Sequence, residues 1–310
     1  MIYYYNVHGL RIASTLEIPE LSGSSSRASS DDDSQIRIEL GKTPVELERP
    51  VSLAAGYEVS GKQCLLSIPS CARYLVTSGQ TITIEPARGA YPSEVRLYLL
   101  GSAFAALLHQ RGLVPLHASA IALKQGCVVF LGGSGVGKST LATMLAVRGF
   151  RLMSDDVVVA RRGEDGTIFA APSSPTIKLW PEAVQHLGRG LDAASERVDC
   201  EKHHFHMGTN FEVESRRLCR LYFLHWLLPR DAEPEIERVP PFDALVGMRR
   251  NVFREGLISP LGREAELLGF LGELLGQVDA YDFRRPMNYG FATAQLDALE
   301  RHILGQDWER

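Results

Sequence analysis

Gly132-Gly133-Ser134-Gly135-Val136-Gly137-Lys138-Ser139, followed by Thr140, is the most informative run in the sequence. It meets the pattern G-x-x-x-x-G-K-[ST] at every fixed position. Glycines let backbone N–H groups close around a phosphate where side chains would collide. A helix beginning near Lys138 points its positive end at the same anion. In that arrangement Lys138 reaches the β- and γ-phosphates, and Ser139 offers a hydroxyl to magnesium. The flanks agree with this reading. Residues 127–131 are a continuous apolar run, as a buried strand requires, and residues 138–148 read as a helix stopped by Gly149. A chance glycine-rich turn would not carry both flanks. The segment is therefore expected to be a P-loop that binds ATP with magnesium. No Asn-Lys-x-Asp run for reading guanine occurs, which favours ATP over GTP.

Residues 114–123 read as a strand before the loop, with a tight turn expected at Gln125-Gly126. That turn sets Lys124 opposite Cys127 and His117 opposite about Ser134, beside the mouth of the loop. On the other side, residues 150–153 form a short strand ending in Ser154-Asp155-Asp156. A crossover through the intervening helix makes this strand run parallel to the loop's strand, with its end on the ligand side. Two adjacent carboxylates suit two tasks there, holding magnesium and accepting the proton of an attacking hydroxyl. The plainer alternatives are a packed core histidine and a pair of acidic turn residues.

Further out, residues 1–88 alternate at period two in several segments, beginning with a hairpin turning at His8-Gly9, and read as a small β-rich domain suited to substrate recognition. Residues 22–35 inside it are Ser/Asp-rich, too polar to fold alone, and are expected to be a mobile loop. Residues 89–310, which contain the glycine-rich loop, are expected to form a second domain, the catalytic one if the loop serves a reaction. A helix over 94–110, capped by Ser93 and closed by Gly112, places Leu97, Leu100, Phe104, Leu107 and Leu108 on one buried stripe. Beyond Pro172 the pattern is mixed, with a strand over 221–227 and helices over 265–275 and 293–304. The net charge of −4 leaves no electrostatic footprint for nucleic acid or anionic membrane. No apolar stretch approaches the ~20 residues that span a bilayer. Five cysteines without metal-type spacing read as reduced thiols, and a cytoplasmic location is expected.

The stretch from Leu116-His117-Ala118-Ser119 through the glycine-rich loop to Arg151-Leu152-Met153-Ser154-Asp155-Asp156 resembles the catalytic domain of the HPr kinase/phosphorylase family. The resemblance is clear over about 114–160 and weaker to 181 and near Lys202. It implies an α/β P-loop kinase domain related to phosphoenolpyruvate carboxykinase, a mixed sheet with flanking helices. It implies transfer of the γ-phosphate of ATP to a serine of a peptide or small protein. By the same carry-over Asp155 is the general base, His117 supports it, and Ser139 and Asp156 serve magnesium. The family's Glu-Ile-Arg reads Thr176-Ile177-Lys178 here, and an acidic residue common in the family is Thr140. The N-terminal opening resembles that of kinases in ribosomal-peptide clusters, with lasso peptide precursor kinases as the leading branch.

Lys178 and Lys202 are candidates for phosphate contact. Arg249, Arg250 and Arg254 are read as a solvent-facing helix rather than a clamp, His203-His204-Phe205-His206 as no metal site, and Trp180 as core packing. Two other functions stay open, a nucleotide-dependent switch or regulatory ATPase and a small-molecule kinase, and so does a homo-oligomer.

Overall fold

The computed structural model describes residues 1–24, 35–53, 56–187, 197–199, 202–228, 233–288, 290 and 292–305. Most of the Ser/Asp-rich loop, Cys200, Glu201 and the side chain of Lys202 lie outside what is described. The fold is mixed α/β and divides into two compact units, Met1–Pro115 with Phe253–Gly269, and Leu116–Val252 with Phe270–Arg310. The helical segment near residue 100 therefore counts with the β-rich unit, whereas the sequence reading drew its boundary after residue 88.

The first unit holds one mixed eight-stranded sheet. Tyr3–Val7 and Leu10–Ser14 form a hairpin with Val7 opposite Leu10. Its two turn residues, His8 and Gly9, both have positive φ (54° and 71°), the geometry that matches the twist of flanking strands. Period-two alternation buries Ala72, Tyr74 and Val76 on one strand and Ile82 and Ile84 on its neighbour. The helical run departs from expectation in two ways. It starts from Tyr91 with Pro92 in the first turn, and Ser93 lies inside the helix rather than capping it. Residues Leu99–Ala103 are a π segment between Pro92–Tyr98 and Phe104–Gln110. The extra residue per turn shifts the buried face by one position. Val95 is buried before it, Leu99 within it, Phe104, Leu107 and Leu108 after it, and Leu97 is left exposed.

The second unit is built on a sheet of eight strands and a smaller one of three. Gly126–Leu131 lies between Val114–Leu123, antiparallel, and Arg216–Leu227, parallel. Arg216–Leu227 continues in parallel to Asp279–Pro286. Arg151–Ser154 pairs antiparallel with Val114–Leu123 and so runs in the same direction as Gly126–Leu131, with one strand between. Gly126–Leu131 is buried along its whole length, because a sheet covered on both faces needs apolar residues on both. Phe130, Leu141, Leu145, Phe150, Leu152, Tyr222 and Phe283 join in one core between that sheet and the helix Lys138–Val147. Each large side chain so buried contributes roughly 1.5–3 kcal/mol. That core holds the turn between strand and helix. Cys64, Cys71, Cys127 and Cys219 are free thiols.

Candidate active site

The hairpin before the glycine-rich loop turns at Lys124-Gln125, since Leu123 pairs with Gly126 and Ala118 with Leu131. The turn lies one residue before the one read in the sequence, which slips the pairing register by two. His117 is therefore next in register to Gly132 rather than Ser134. A slip of two keeps every side chain on its face, so the histidine still lies by the loop, where a slip of one would have inverted it.

Residues 132–137 leave the buried strand and enter the helix Lys138–Val147. Gly132, Gly135 and Gly137 have φ of 146°, 81° and 88°. At two of them the space beside the backbone is also tight. A Cβ on Gly132 would sit 2.9 Å from Val136 Cγ1, and one on Gly137 would sit 2.9 Å from Arg285 Nη2. The ammonium of Lys138 is buried and donates to the carbonyls of Gly132 (2.8 Å) and Gly133 (3.1 Å). Asn251 accepts the N–H of Gly132 through Oδ1 (2.9 Å), and its carbonyl accepts the N–H of His117 (2.7 Å). Arg285, 4% exposed, donates through Nη2 to the carbonyl of Val136 (2.7 Å). Its guanidinium carbon lies 4.7 Å from the centre of the Trp226 ring. These contacts occupy the carbonyls of Gly132, Gly133 and Val136 and fix the course of the loop.

The acidic turn is equally constrained. Val157 N–H bonds the carbonyl of Asp155 (2.9 Å) across Asp156, whose φ is 71°. This three-residue closure with positive φ at its centre is rare and strained. Asp155 is buried. It accepts the Ser119 hydroxyl (2.6 Å), the backbone N–H of Lys178 (3.2 Å) and the Ser139 hydroxyl. Burial raises its pKa above the usual carboxylate value and the charge of Asp156 adds to this, against the opposing hydrogen bonds. Asp156 is half-exposed, with Oδ1 3.4 Å from His117 Nδ1 and Oδ2 3.5 Å from Lys178 Nζ. His117 Nδ1 also lies 3.1 Å from the carbonyl of Asp156. A carbonyl only accepts, so Nδ1 carries a proton.

Of these groups His117, Lys138, Ser139, Asp155, Asp156, Lys178 and Arg285 line a cleft of about 460 Å³ in the second unit, together with Ser134, Thr140, Trp180 and Trp226. The donor set at one end, the Ser139 hydroxyl and two carboxylates, is hard oxygen of the kind magnesium takes. The loop at the centre has the glycines and cation that a triphosphate needs. The residues present fit Mg-ATP.

Val136 is mostly buried under the loop, and Gly133 has open space beside it. Arg249 and Arg250 close the helix Pro241–Arg250, while Arg254 donates to Ser102 in the first unit. Trp180 is 42% exposed on the cleft rather than packed in the core. Sequence reasoning also missed Asn251 and Arg285. Both are polar residues far along the chain, and Arg284-Arg285 reads as ordinary surface charge. Ser119, quoted only as part of a longer motif, gave no sign of its bond to Asp155. Its signal was available, a period-two step from His117 on the same strand.

No family model and no curated protein matches the chain. Among solved structures it is similar to the HPr(Ser) kinase/phosphatase from Coxiella burnetii. The identity is 12%, the TM-score 0.31, and the match covers 61% of this chain and 96% of that one. A likeness that slight carries no argument, and the functional reading rests on the cleft itself. Among the described residues no helix is long and apolar enough to cross a membrane.

Proposed function

We propose that the chain is an ATP-dependent kinase of the HPr kinase type that phosphorylates a serine hydroxyl on a peptide or small protein. One observation carries the reading. A buried carboxylate of raised pKa, Asp155, is hydrogen-bonded to the serine that follows the loop lysine, within the cleft that the loop lines. Simple nucleotide storage has no use for a second, basic carboxylate at that point. A hydroxyl acceptor does.

The loop N–H groups and Lys138 hold the phosphates, with Lys138 exchanging its carbonyl partners for the β- and γ-oxygens. Ser139 and Asp156 would hold magnesium, which supplies neutralisation of the charge on those oxygens. The acceptor O–H attacks the γ-phosphorus, the bond to the bridging oxygen of ADP breaks, and Asp155 takes the proton. Burial makes Asp155 a better acceptor than an ordinary carboxylate. His117 and Lys178 offset the charge of Asp156. The β-rich unit offers sheet edges for an extended peptide, and a lasso peptide precursor is the leading candidate substrate.

The test is mass spectrometry of candidate peptides incubated with the protein and Mg-ATP. The expected result is one phosphate mass on a serine, absent with Asp155→Asn. Steady ATP hydrolysis without phosphopeptide would replace this reading with that of a nucleotide-dependent switch.

A further inference from the structure

Glycine is the residue whose backbone turns most freely, and the loop carries it at Gly132, Gly133, Gly135 and Gly137. A phosphate is held in such a loop by peptide N–H groups, so the peptide planes have to be fixed from outside. The two ends of the loop are fixed differently. At its start the carbonyls of Gly132 and Gly133 accept from Lys138 Nζ, the group that leaves them for phosphate in the reaction proposed above. At its end Arg285 Nη2 donates to the carbonyls of Val136 (2.7 Å) and Gly137 (3.3 Å). The Gly137 carbonyl also accepts the N–H of Leu141 (2.9 Å), which opens the helix. A trans peptide points its N–H opposite to its carbonyl. Holding these two carbonyls therefore sets the directions of the N–H groups of Gly137 and Lys138.

Arg285 is held in turn. Its Nη1 donates to Oε1 of Gln295 (3.4 Å), on the helix Ala292–Leu304. Gln295 is 5% exposed, and its Nε2 donates to the carbonyls of Pro286 (2.9 Å) and Asn288 (3.4 Å). Burying a guanidinium and an amide is costly unless their hydrogen bonds are made, and here those bonds go to the backbone at the cleft. We propose that Arg285 and Gln295 are positioning residues for phosphate binding, Arg285 fixing the two peptide planes that close the loop and Gln295 fixing Arg285. The inference rests on the phosphate reading of the glycine-rich loop. Both side chains act through the backbone. Their contribution matters most in the bound state, when Lys138 has turned to the ligand and Arg285 still holds its carbonyls.

The test is calorimetric titration of the full chain with Mg-tripolyphosphate, with melting temperatures taken on the same samples. Arg285→Met should lose about tenfold to a hundredfold in affinity, the scale of a hydrogen bond to a charged group. Arg285→Lys, which still donates to one carbonyl, should recover part of that loss. Gln295→Met should lose less than Arg285→Met. Because Gln295 acts through Arg285, the double variant should bind about as Arg285→Met does, short of the summed losses. Affinity equal to wild type in Arg285→Met, whatever its melting temperature, would overturn the proposal and leave Arg285 a residue of the fold alone. Should Arg285→Met not fold, wild-type affinity in folded Arg285→Lys and Gln295→Met would overturn it equally. Fully additive losses in the double variant would overturn the part given to Gln295. Failure of wild type to bind tripolyphosphate would instead remove the phosphate reading, and this inference with it.

Discussion

The two units spend their polar and strained residues in different places. In the first, the non-glycine residues of positive φ are His8, Arg49, Ser70, Ser78 and Arg254, all in turns and bends. In the second, among the described residues, Asp156 is the sole one, and it lies in the cleft. Buried charge divides the same way. Lys138, Asp155, Glu212, Arg285 and Glu300 are all in the second unit, and the first has no buried Asp, Glu, Lys or Arg among its described residues. Its carboxylates stay accessible, as in the group where Glu85 accepts from Lys42, Thr43 and Arg73. Buried charge and backbone strain each cost free energy that a sheet does not need in order to fold. One unit shows what the chain does when it only has to be stable. The other departs from that at the cleft, with Lys138, Asp155, Asp156 and Arg285, and also at two ion-paired carboxylates away from it, Glu212 and Glu300.

The largest expected effect lies with the buried carboxylate. Asp155→Asn keeps the shape and hydrogen-bonding size but cannot accept a proton. Turnover should fall about 10²–10⁴-fold while ATP affinity changes little. Parallel measurement of peptide phosphorylation and ATP binding decides it. If the variant binds ATP far worse yet turns over bound ATP normally, Asp155 is a magnesium residue and the base lies elsewhere. Lys138→Ala should come next, losing about 10²–10³-fold in kcat, the scale on which a single charge-stabilising group acts. Activity near wild type there would contradict the phosphate reading outright.

How much of this was legible in the sequence depended on whether the signal was local. The strand–loop–helix around Lys138 is written in adjacent residues, and so is the acidic pair, and both lie where their neighbours put them. His117 survived a wrong turn assignment because the error was even. The braces were not legible. Nothing in the run Arg249-Arg250-Asn251 announces that Asn251 holds the first glycine of a loop 119 residues earlier. Likewise nothing near Arg285 tells that its guanidinium is enclosed by loop carbonyls and an indole. The Arg285 contact depends on the parallel pairing of three distant strands and the Asn251 contact on the end of the helix Pro241–Arg250, and periodicity encodes neither. The π segment was hidden for another reason. A one-residue shift inside a strongly apolar run leaves enough leucines on any face to look periodic.

A third prediction tests the stable unit. His8 is buried, its Nδ1 has no hydrogen-bond partner, and burial holds its pKa down to about 4, from 6.5. Between those values the unfolded chain binds the proton and the folded one does not, so stability falls as pH drops through that window. The full difference corresponds to roughly 3 kcal/mol. Urea midpoints taken from pH 7 to pH 4 should decline in wild type and decline less in His8→Asn, which tolerates the same positive φ. Equal slopes in the two proteins would place the acid sensitivity outside this turn.

The smallest effect separates the units most directly. Ser78 and Asp156 share nearly the same backbone condition, with φ of 55° and 71°, and glycine relieves it at both. Against that relief stands the greater freedom glycine gives the unfolded chain, so each substitution should yield a net gain of up to about 1 kcal/mol. In domains of this size that is about 2–4 °C in Tm. The ion pairs of Asp156 with His117 and Lys178 subtract little, since its side chain is 45% exposed and such pairs are worth little in water. The two variants should therefore look alike by calorimetry and differ in function. Ser78→Gly should phosphorylate peptide as wild type does, and Asp156→Gly should lose magnesium-dependent turnover that raised magnesium does not recover. If Asp156→Gly instead melts lower than wild type and keeps its turnover, the positive φ at the cleft is a turn like any other. The distinction between the units would then rest on buried charge alone.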